Sequence, residues 1–175
     1  MRLGWDDNCL NAADIAVRAE SAGVQMITIH GRTRCQFYKG AADWGAIRAV
    51  KSAVNIPVIA NGDIVDAHSA NRALALSNAD GVMIGRGAQG QPWVLAQIAA
   101  EVSGHIYTGA PQGPALADVI IEHYEDMIRF YGPDLGMRNA RKHLTWYLER
   151  LEGGMELRNL IIRERDHLVV LRCLT

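Results

Sequence analysis

The sequence predicts an α/β protein: a partial (β/α)8 TIM barrel followed by a small helical bundle. Three observations carry this expectation. From residue 11 to about residue 103, short apolar, β-branched runs alternate with helix-patterned stretches, the signature of βαβ units on a parallel sheet. The strand-end markers Gly4, His30, Gly62 and Gly85 stand 26, 32 and 23 residues apart. A complete barrel of about 250 residues allots about 30 to each unit. After Gly104 the alternation stops, and Gly/Pro punctuation leads into helix-patterned sequence alone. Only three or four units fit, so the chain reads as part of such a barrel.

Each element has its own local warrant. Asn11 is an N-cap candidate for an Ala-rich helix that stops at Gly23. Val24–Ile29 is the first strand and runs into His30-Gly31. Asp43 caps a second helix through Ala46, Ile47, Val50 and Val54. Pro57–Ala60 is a second strand ending at Asn61-Gly62-Asp63, and a helix from about Asp66 to Leu76 follows. Gly81–Ile84 is a third strand ending at Gly85-Arg86-Gly87. Pro92 suits the first turn of a helix continuing through Val94, Leu95 and Ile98.

The spacing predicts three segments: barrel-derived residues 1–108, a linker over 109–115 and a helical unit over 116–175. The linker reads Gly109-Ala110-Pro111-Gln112-Gly113-Pro114. Leu116–Tyr131 is an amphipathic helix ended by Gly132-Pro133, and Gly136–Leu151 is a second one broken by Gly153-Gly154. Residues 155–172 are expected to be helical, with Leu157, Leu160, Ile161, Leu168 and Leu171 as an apolar stripe.

Composition narrows the class. Hydrophobic residues make up 49% and charged residues 21% of the 175, the balance of a globular chain rather than a disordered one. No apolar run reaches the roughly 18 residues of a membrane span. Cys9, Cys35 and Cys173 are odd in number and form no C-x-x-C pair, so neither a disulfide framework nor a metal site is expected, and a cytoplasmic setting is. The net charge of -1 is unevenly spread. Residues 1–135 carry 10 basic and 14 acidic groups, while residues 136–175 carry 8 and 5. The basic C-terminal region reads either as a surface facing a polyanion or as ordinary scatter.

The chemistry of a β/α barrel sits at the C-terminal ends of its strands. There the chain places Asn61-Gly62-Asp63-Ile64 and Gly85-Arg86-Gly87-Ala88, which resemble a phosphate cradle: glycines admit the anion, amides point at it and Arg86 grips it. The bland alternative is two tight turns. His30 reads either as a structural imidazole or as a hydrogen-bonding partner for the edge of a ring cofactor. Asp63 either contacts the phosphate loop or caps the next helix. Cys35 has no activating neighbour and reads as a plain thiol. On the 136–151 helix, Arg138, Arg141, Lys142, Thr145 and Glu149 share one face opposite Ala140, Leu144, Tyr147, Leu148 and Leu151. Three cations at this spacing repel one another unless an anion such as a nucleic-acid backbone relieves them; a solvated basic face is the other reading.

Together these residues resemble the tRNA-dihydrouridine synthase family, in its bacterial B-type branch. Met1-Arg2-Leu3-Gly4-Trp5 resembles the end of the family's K-x-R-x-G-W strand, and Ile29-His30-Gly31-Arg32-Thr33-Arg34 its I-H-G-R-T motif. Asn61–Ile64 and Gly85–Ala88 resemble its two flavin-phosphate loops. Arg141-Lys142-His143-Leu144-Thr145-Trp146-Tyr147 is similar to the R-K-H-x-x-W-Y signature of its helical RNA-binding domain. The match runs to about Leu151 and is poor beyond about Arg165.

The resemblance implies FMN as cofactor, NADPH as electron source, tRNA as partner, and reduction of the C5=C6 bond of a tRNA uridine. It implies that His30 meets the flavin ring, that Asn61, Gly62, Asp63, Gly85 and Arg86 hold the ribityl phosphate, and that Arg138, Arg141 and Lys142 lie against RNA. The family's flavin-contacting Lys and catalytic Cys fall upstream of Met1, and Cys9 and Cys35 do not occupy the catalytic motif. The chain is therefore expected to be the second half of the barrel plus part of the helical domain, inactive alone and self-associating through its open sheet. Two rivals remain on the residues: a sugar-phosphate or nucleotide-binding barrel fragment, and a non-catalytic RNA-binding module.

Overall fold

In the computed structural model, which describes residues 1–175, the first helix is α1 (Ala12–Ser21), and it turns Ala12 and Ala16 inward. Asn11 makes no side-chain cap. Backbone pairing supplies the order instead, since Ala12 N donates to Leu3 O at 3.1 Å. Gly23 follows the helix at φ +94°, a conformation that costs glycine little. The first strand, β1 (Ile27–His30), begins later than the Val24 start expected from β-branching. Val24 and Met26 lie exposed, so pairing partners rather than propensity set the strand's start.

Two more strands follow, β2 (Val58–Asn61) and β3 (Gly81–Met83). The sheet is parallel with order β1-β2-β3. Its register pairs Ile27 with Val58, His30 with Asn61, and Asn61 with Met83. Arg2 forms an isolated parallel bridge to His30. Helices link the strands. In α2 (Trp44–Ala53) the Asp43 carboxylate accepts Ala46 N, as its sequence position predicts. In α3 (Ala67–Ser77) the cap is Asp66, in a reciprocal capping box with Ser69. Asp63 is therefore not the cap of that helix. A single 3-10 turn (Arg86–Ala88) precedes α4 (Val94–Val102), and Pro92 lies before this helix rather than in its first turn. The core of this unit centres on Ile29, Ile47, Val58, Ala60 and Ile98, with Ala16 and Ala70 filling the small gaps.

The remaining helices are α5 (Pro114–Tyr131), α6 (Pro133–Leu148), α7 (Gly154–Ile161) and α8 (His167–Leu174). Proline begins both α5 and α6, because its fixed φ suits a helical first turn that needs no N–H donor. Hence α5 takes Pro114 and Ala115 from the expected linker, and α6 starts before Gly136 and ends at Leu148, before Leu151. The helical run expected over 155–172 is interrupted at residues 162–166, where the Asp166 carboxylate accepts Leu168 N and restarts the chain as α8. The interruption breaks the expected stripe. Ile161 is buried in the core of this unit, and Leu157 and Leu171 pack against that core, but Leu160 and Leu168 are 58% and 50% exposed. Gly136 permits close approach of α6 to α5, for a Cβ there would lie 2.8 Å from Met127 O.

The architecture is mixed α/β, helix-rich, with a small parallel sheet. It divides into two units, residues 1–88 with 94–107 and residues 89–93 with 108–175. Each has its own hydrophobic cluster. No helix is long and apolar enough to cross a membrane.

Candidate functional site

The C-terminal ends of the strands carry the expected residues together. Parallel register sets His30 beside Asn61 and Asn61 beside Met83, two residues before Gly85. The Asn61 amide nitrogen donates to Met83 O at 2.8 Å, so this side chain is spent on holding the tips of β2 and β3 together. Its neighbour Gly62 has φ +112°, and a Cβ there would lie 2.8 Å from the Ala42 Cβ and 3.4 Å from the His30 ring. Only glycine fits this turn. Gly62 O accepts the Trp44 indole N–H at 2.8 Å, which fixes the loop from the α2 side. At Gly85 an added Cβ would meet nothing within 4 Å, so the chain itself leaves that approach open.

Asp63 is not a free anion. Arg32 Nη1 and Nη2 donate to its Oδ1 and Oδ2 at 3.0 and 2.6 Å, and Ala42 N donates to Oδ2 at 2.8 Å. Arg86 Nη2 stands 3.6 Å from Oδ1. Burial alone would raise the Asp63 carboxyl, but the hydrogen bonds from Arg32 and Ala42 and the charges of Arg32 and Arg86 outweigh it and hold it below the usual range. A carboxylate so committed serves to orient the two cations beside it. The Arg32 guanidinium, 2% exposed, also donates from Nε to Lys39 O at 3.2 Å and from Nη2 to Gly40 O at 2.6 Å.

His30 carries an unspent polar atom: its Nδ1 is buried without a hydrogen-bond partner. Burial, together with the charges of Arg2, Arg32 and Arg86, lowers its pKa, and Asp63 opposes this only in part. The ring is therefore neutral near pH 7, with one nitrogen donating and the other accepting. Arg86 is the exposed cation of the site, its side chain 58% accessible and its guanidinium 4.6 Å from the centroid of the Tyr38 ring. The arrangement suits a ligand with a polar ring edge for His30 and an anionic group for Arg86.

The residues that sequence reasoning missed are Arg32, Tyr38 and Arg2. Arg32 stands inside the quoted I-H-G-R-T motif but carries no local sign that it is buried. Its partner is 31 residues away. Arg2 donates to Thr33 O and Phe37 O at 2.7 and 2.8 Å and also lies over the Tyr38 ring, at 5.6 Å.

On α6 the three expected cations separate in role. Arg138 and Lys142 are exposed. Arg141 is partly buried and donates from Nη2 to Glu164 O at 3.0 Å, bracing the segment between α7 and α8. On the opposite face Ala140, Leu144, Tyr147 and Leu148 are all 3% exposed or less, but Leu151, expected with them, lies past the end of α6 and is 38% exposed.

A parallel sheet with its polar residues gathered at the strand tips, and a helical unit with its own core, define a chain of the α/β class. Comparison makes the assignment specific. The family profile for dihydrouridine synthase (Dus) matches residues 1–171. The chain belongs to the dihydrouridine synthase family. A probable tRNA-dihydrouridine synthase of Rhodobacter capsulatus is 64% identical over 166 residues, covering 95% of this chain and 51% of that protein. The tRNA-dihydrouridine synthase B of Pectobacterium carotovorum is 46% identical over 153 residues, covering 85% and 46%. That of Pseudomonas aeruginosa is 39% identical over 166 residues, covering 95% and 50%. The chain spans about half the length of the curated relatives it matches.

Proposed function

We propose that this chain is the flavin-phosphate and tRNA-facing part of an enzyme that reduces the C5=C6 bond of a tRNA uridine, with FMN as cofactor and NADPH as electron source. Its two units are read as the second half of a (β/α)8 barrel and part of a helical RNA-binding domain, acting in the cytoplasm. The observation that carries the proposal is the buried, unpartnered His30 Nδ1 beside a glycine turn that excludes any side chain, on the same strand tips as the exposed Arg86.

When bound, FMN supplies hydride transfer to the uracil ring. This chain's residues do the rest of the holding. His30 hydrogen-bonds the edge of the ring system. Gly62 lets the loop turn tightly against Ala42 and His30, Gly85 leaves room for the ribityl phosphate, and Arg86 neutralises it. Asp63 orients Arg86, and Asn61 keeps the two loops at fixed spacing. Arg138 and Lys142 face RNA phosphates, and the target base leaves its stack to reach the cofactor. No cysteine of this chain is assigned the role of proton donor, so the 175 residues alone are expected to make no dihydrouridine. The open edge of β3 is expected to drive self-association, which light scattering over a concentration series would detect.

The test is flavin binding. Purified chain titrated into FMN should quench flavin fluorescence, with riboflavin, which lacks the phosphate, binding more weakly. Equal affinity for both, or none for either, refutes the proposal. Dihydrouridine formed by the chain alone would refute its inactivity.

A further inference from the structure

The loop after β1 holds an exposed aromatic side chain on a backbone pinned by hydrogen bonds. Tyr38 is 62% exposed and packs in neither hydrophobic core. Even so, both peptide units beside it are pinned: Arg2 donates to the carbonyl of Phe37 at 2.8 Å and Lys39 N donates to Gln36 O at 2.8 Å, while the buried Arg32 holds the next carbonyl, that of Lys39, at 3.2 Å. Phe37 itself sits at φ +51°, where a side chain with a Cβ is strained. Such strain persists only where the surroundings over-determine it. Two guanidinium groups from different parts of the chain thus hold the backbone on either side of the ring. That ring lies against Arg86, at 4.6 Å, and against Arg2, at 5.6 Å.

We propose that Tyr38 is a positioning residue for Arg86: its ring face and the Asp63 carboxylate together aim the Arg86 guanidinium, so that the cation meets an anionic phosphate preorganised rather than as a free surface chain. Asp63 acts on the Arg86 guanidinium at 3.6 Å and the Tyr38 ring at 4.6 Å. An unrestrained arginine gives up much rotamer freedom on gripping an anion, and a stacked one gives up less. The ring adds attraction of its own, of the size measured for exposed cation–aromatic pairs. Tyr38 thus rests on the reading of Arg86 as the phosphate-gripping group, but does not itself touch the ligand.

The test uses the whole chain, two probes and two substitutions, Tyr38→Ala and Tyr38→Phe. Tyr38 is exposed, so neither change threatens folding, and circular dichroism verifies this. Inorganic phosphate is titrated against the Arg86 Nε–H resonance, and FMN and riboflavin binding are compared by fluorescence. Tyr38→Ala should weaken phosphate binding at Arg86 about two- to fivefold and shrink the preference for FMN over riboflavin by the same factor. Tyr38→Phe, which keeps the ring, should restore both. Unchanged phosphate affinity in Tyr38→Ala, or equal loss in Tyr38→Phe, overturns the proposal. If phosphate responds to these changes while FMN does not bind, the positioning stands and the flavin reading falls. If Arg86→Ala abolishes the FMN preference while Tyr38→Ala leaves it intact, the flavin reading stands and the positioning falls.

Discussion

Arg32 and Asp63, 31 residues apart in sequence, meet in two parallel hydrogen bonds of 3.0 and 2.6 Å, with Arg32 only 2% exposed. This fork ties the loop after β1 to the loop after β2. Arg32→Ala would leave Asp63 without its main partner and free the carbonyls of Lys39 and Gly40. Removing one partner of a buried pair costs about 3–5 kcal/mol, and because the Asp63 side chain is 31% exposed the expected loss is at the lower end, about 3 kcal/mol. Urea denaturation measures it as a lower midpoint with an unchanged slope. Arg32→Lys keeps the charge but not the fork, and should recover only part of the loss.

Gly62→Ala should damage both fold and site. Its φ of +112° and the 2.8 Å approach to the Ala42 Cβ leave no relaxed place for a methyl group. Overpacking of this kind costs about 1–3 kcal/mol. The forced shift moves the His30 ring as well, so flavin quenching should fall further than stability alone explains. An unaltered melting temperature would contradict the geometry.

Acid should destabilise the chain in two windows. Burial, then neighbouring cations, lower His30; burial, then His123 and Lys142, lower His143. The unfolded chain therefore binds these protons first, and stability falls as pH drops below their ordinary value of 6.5. Asp63, held below its ordinary 3.8, contributes stability that is present above that value and lost as pH falls through its depressed one. Melting curves from pH 7.5 to 5.5 should show the first decline, and His143→Phe should flatten it.

The cations of α6 should part company under mutation. Arg138→Ala and Lys142→Ala remove exposed charges, so each should leave stability within about 0.5 kcal/mol and reduce the salt slope of tRNA binding by about one. Arg141→Ala removes the donor to Glu164 O, and should lower stability by about 1–3 kcal/mol. Filter binding across a salt series, paired with thermal melts, separates the two behaviours. Equal effects from all three would refute the division.

Much of this was legible in the residues. Asn61-Gly62-Asp63 and Gly85-Arg86 mark strand ends because glycine punctuates apolar runs, and Asp43 announces α2 because a carboxylate at that position satisfies a helix's first free amides. The opposed faces of α6 follow from its period. Illegible were the partnerships that cross the chain. Nothing near Arg32 says that it is buried against Asp63, and nothing near Tyr38 says that two arginines hold its neighbours. Local signals also compete: Asp63 read equally as a phosphate-loop contact or as the cap of the next helix, and the reciprocal box with Ser69 gives the cap to Asp66. The break at 162–166 escaped for the same reason, since the apolar residues around it continue at helical spacing.

The short stretch 89–93 belongs with the helical unit although α4, which follows it, belongs with the sheet. Within the helical unit, Trp93 stacks on Tyr147 at 6.5 Å, Arg150 donates to Gln91 Oε1 at 3.1 Å, and a side chain at Gly90 would collide with Trp146 O at 2.2 Å. The backbone therefore crosses between the two cores three times. A protease cutting once near residue 108 would not release two whole pieces. The front piece would carry away five residues that the helical core needs, and the back piece would be left with an unfilled seat at Tyr147. Anyone dissecting this chain should expect neither half to be the part it was in the whole.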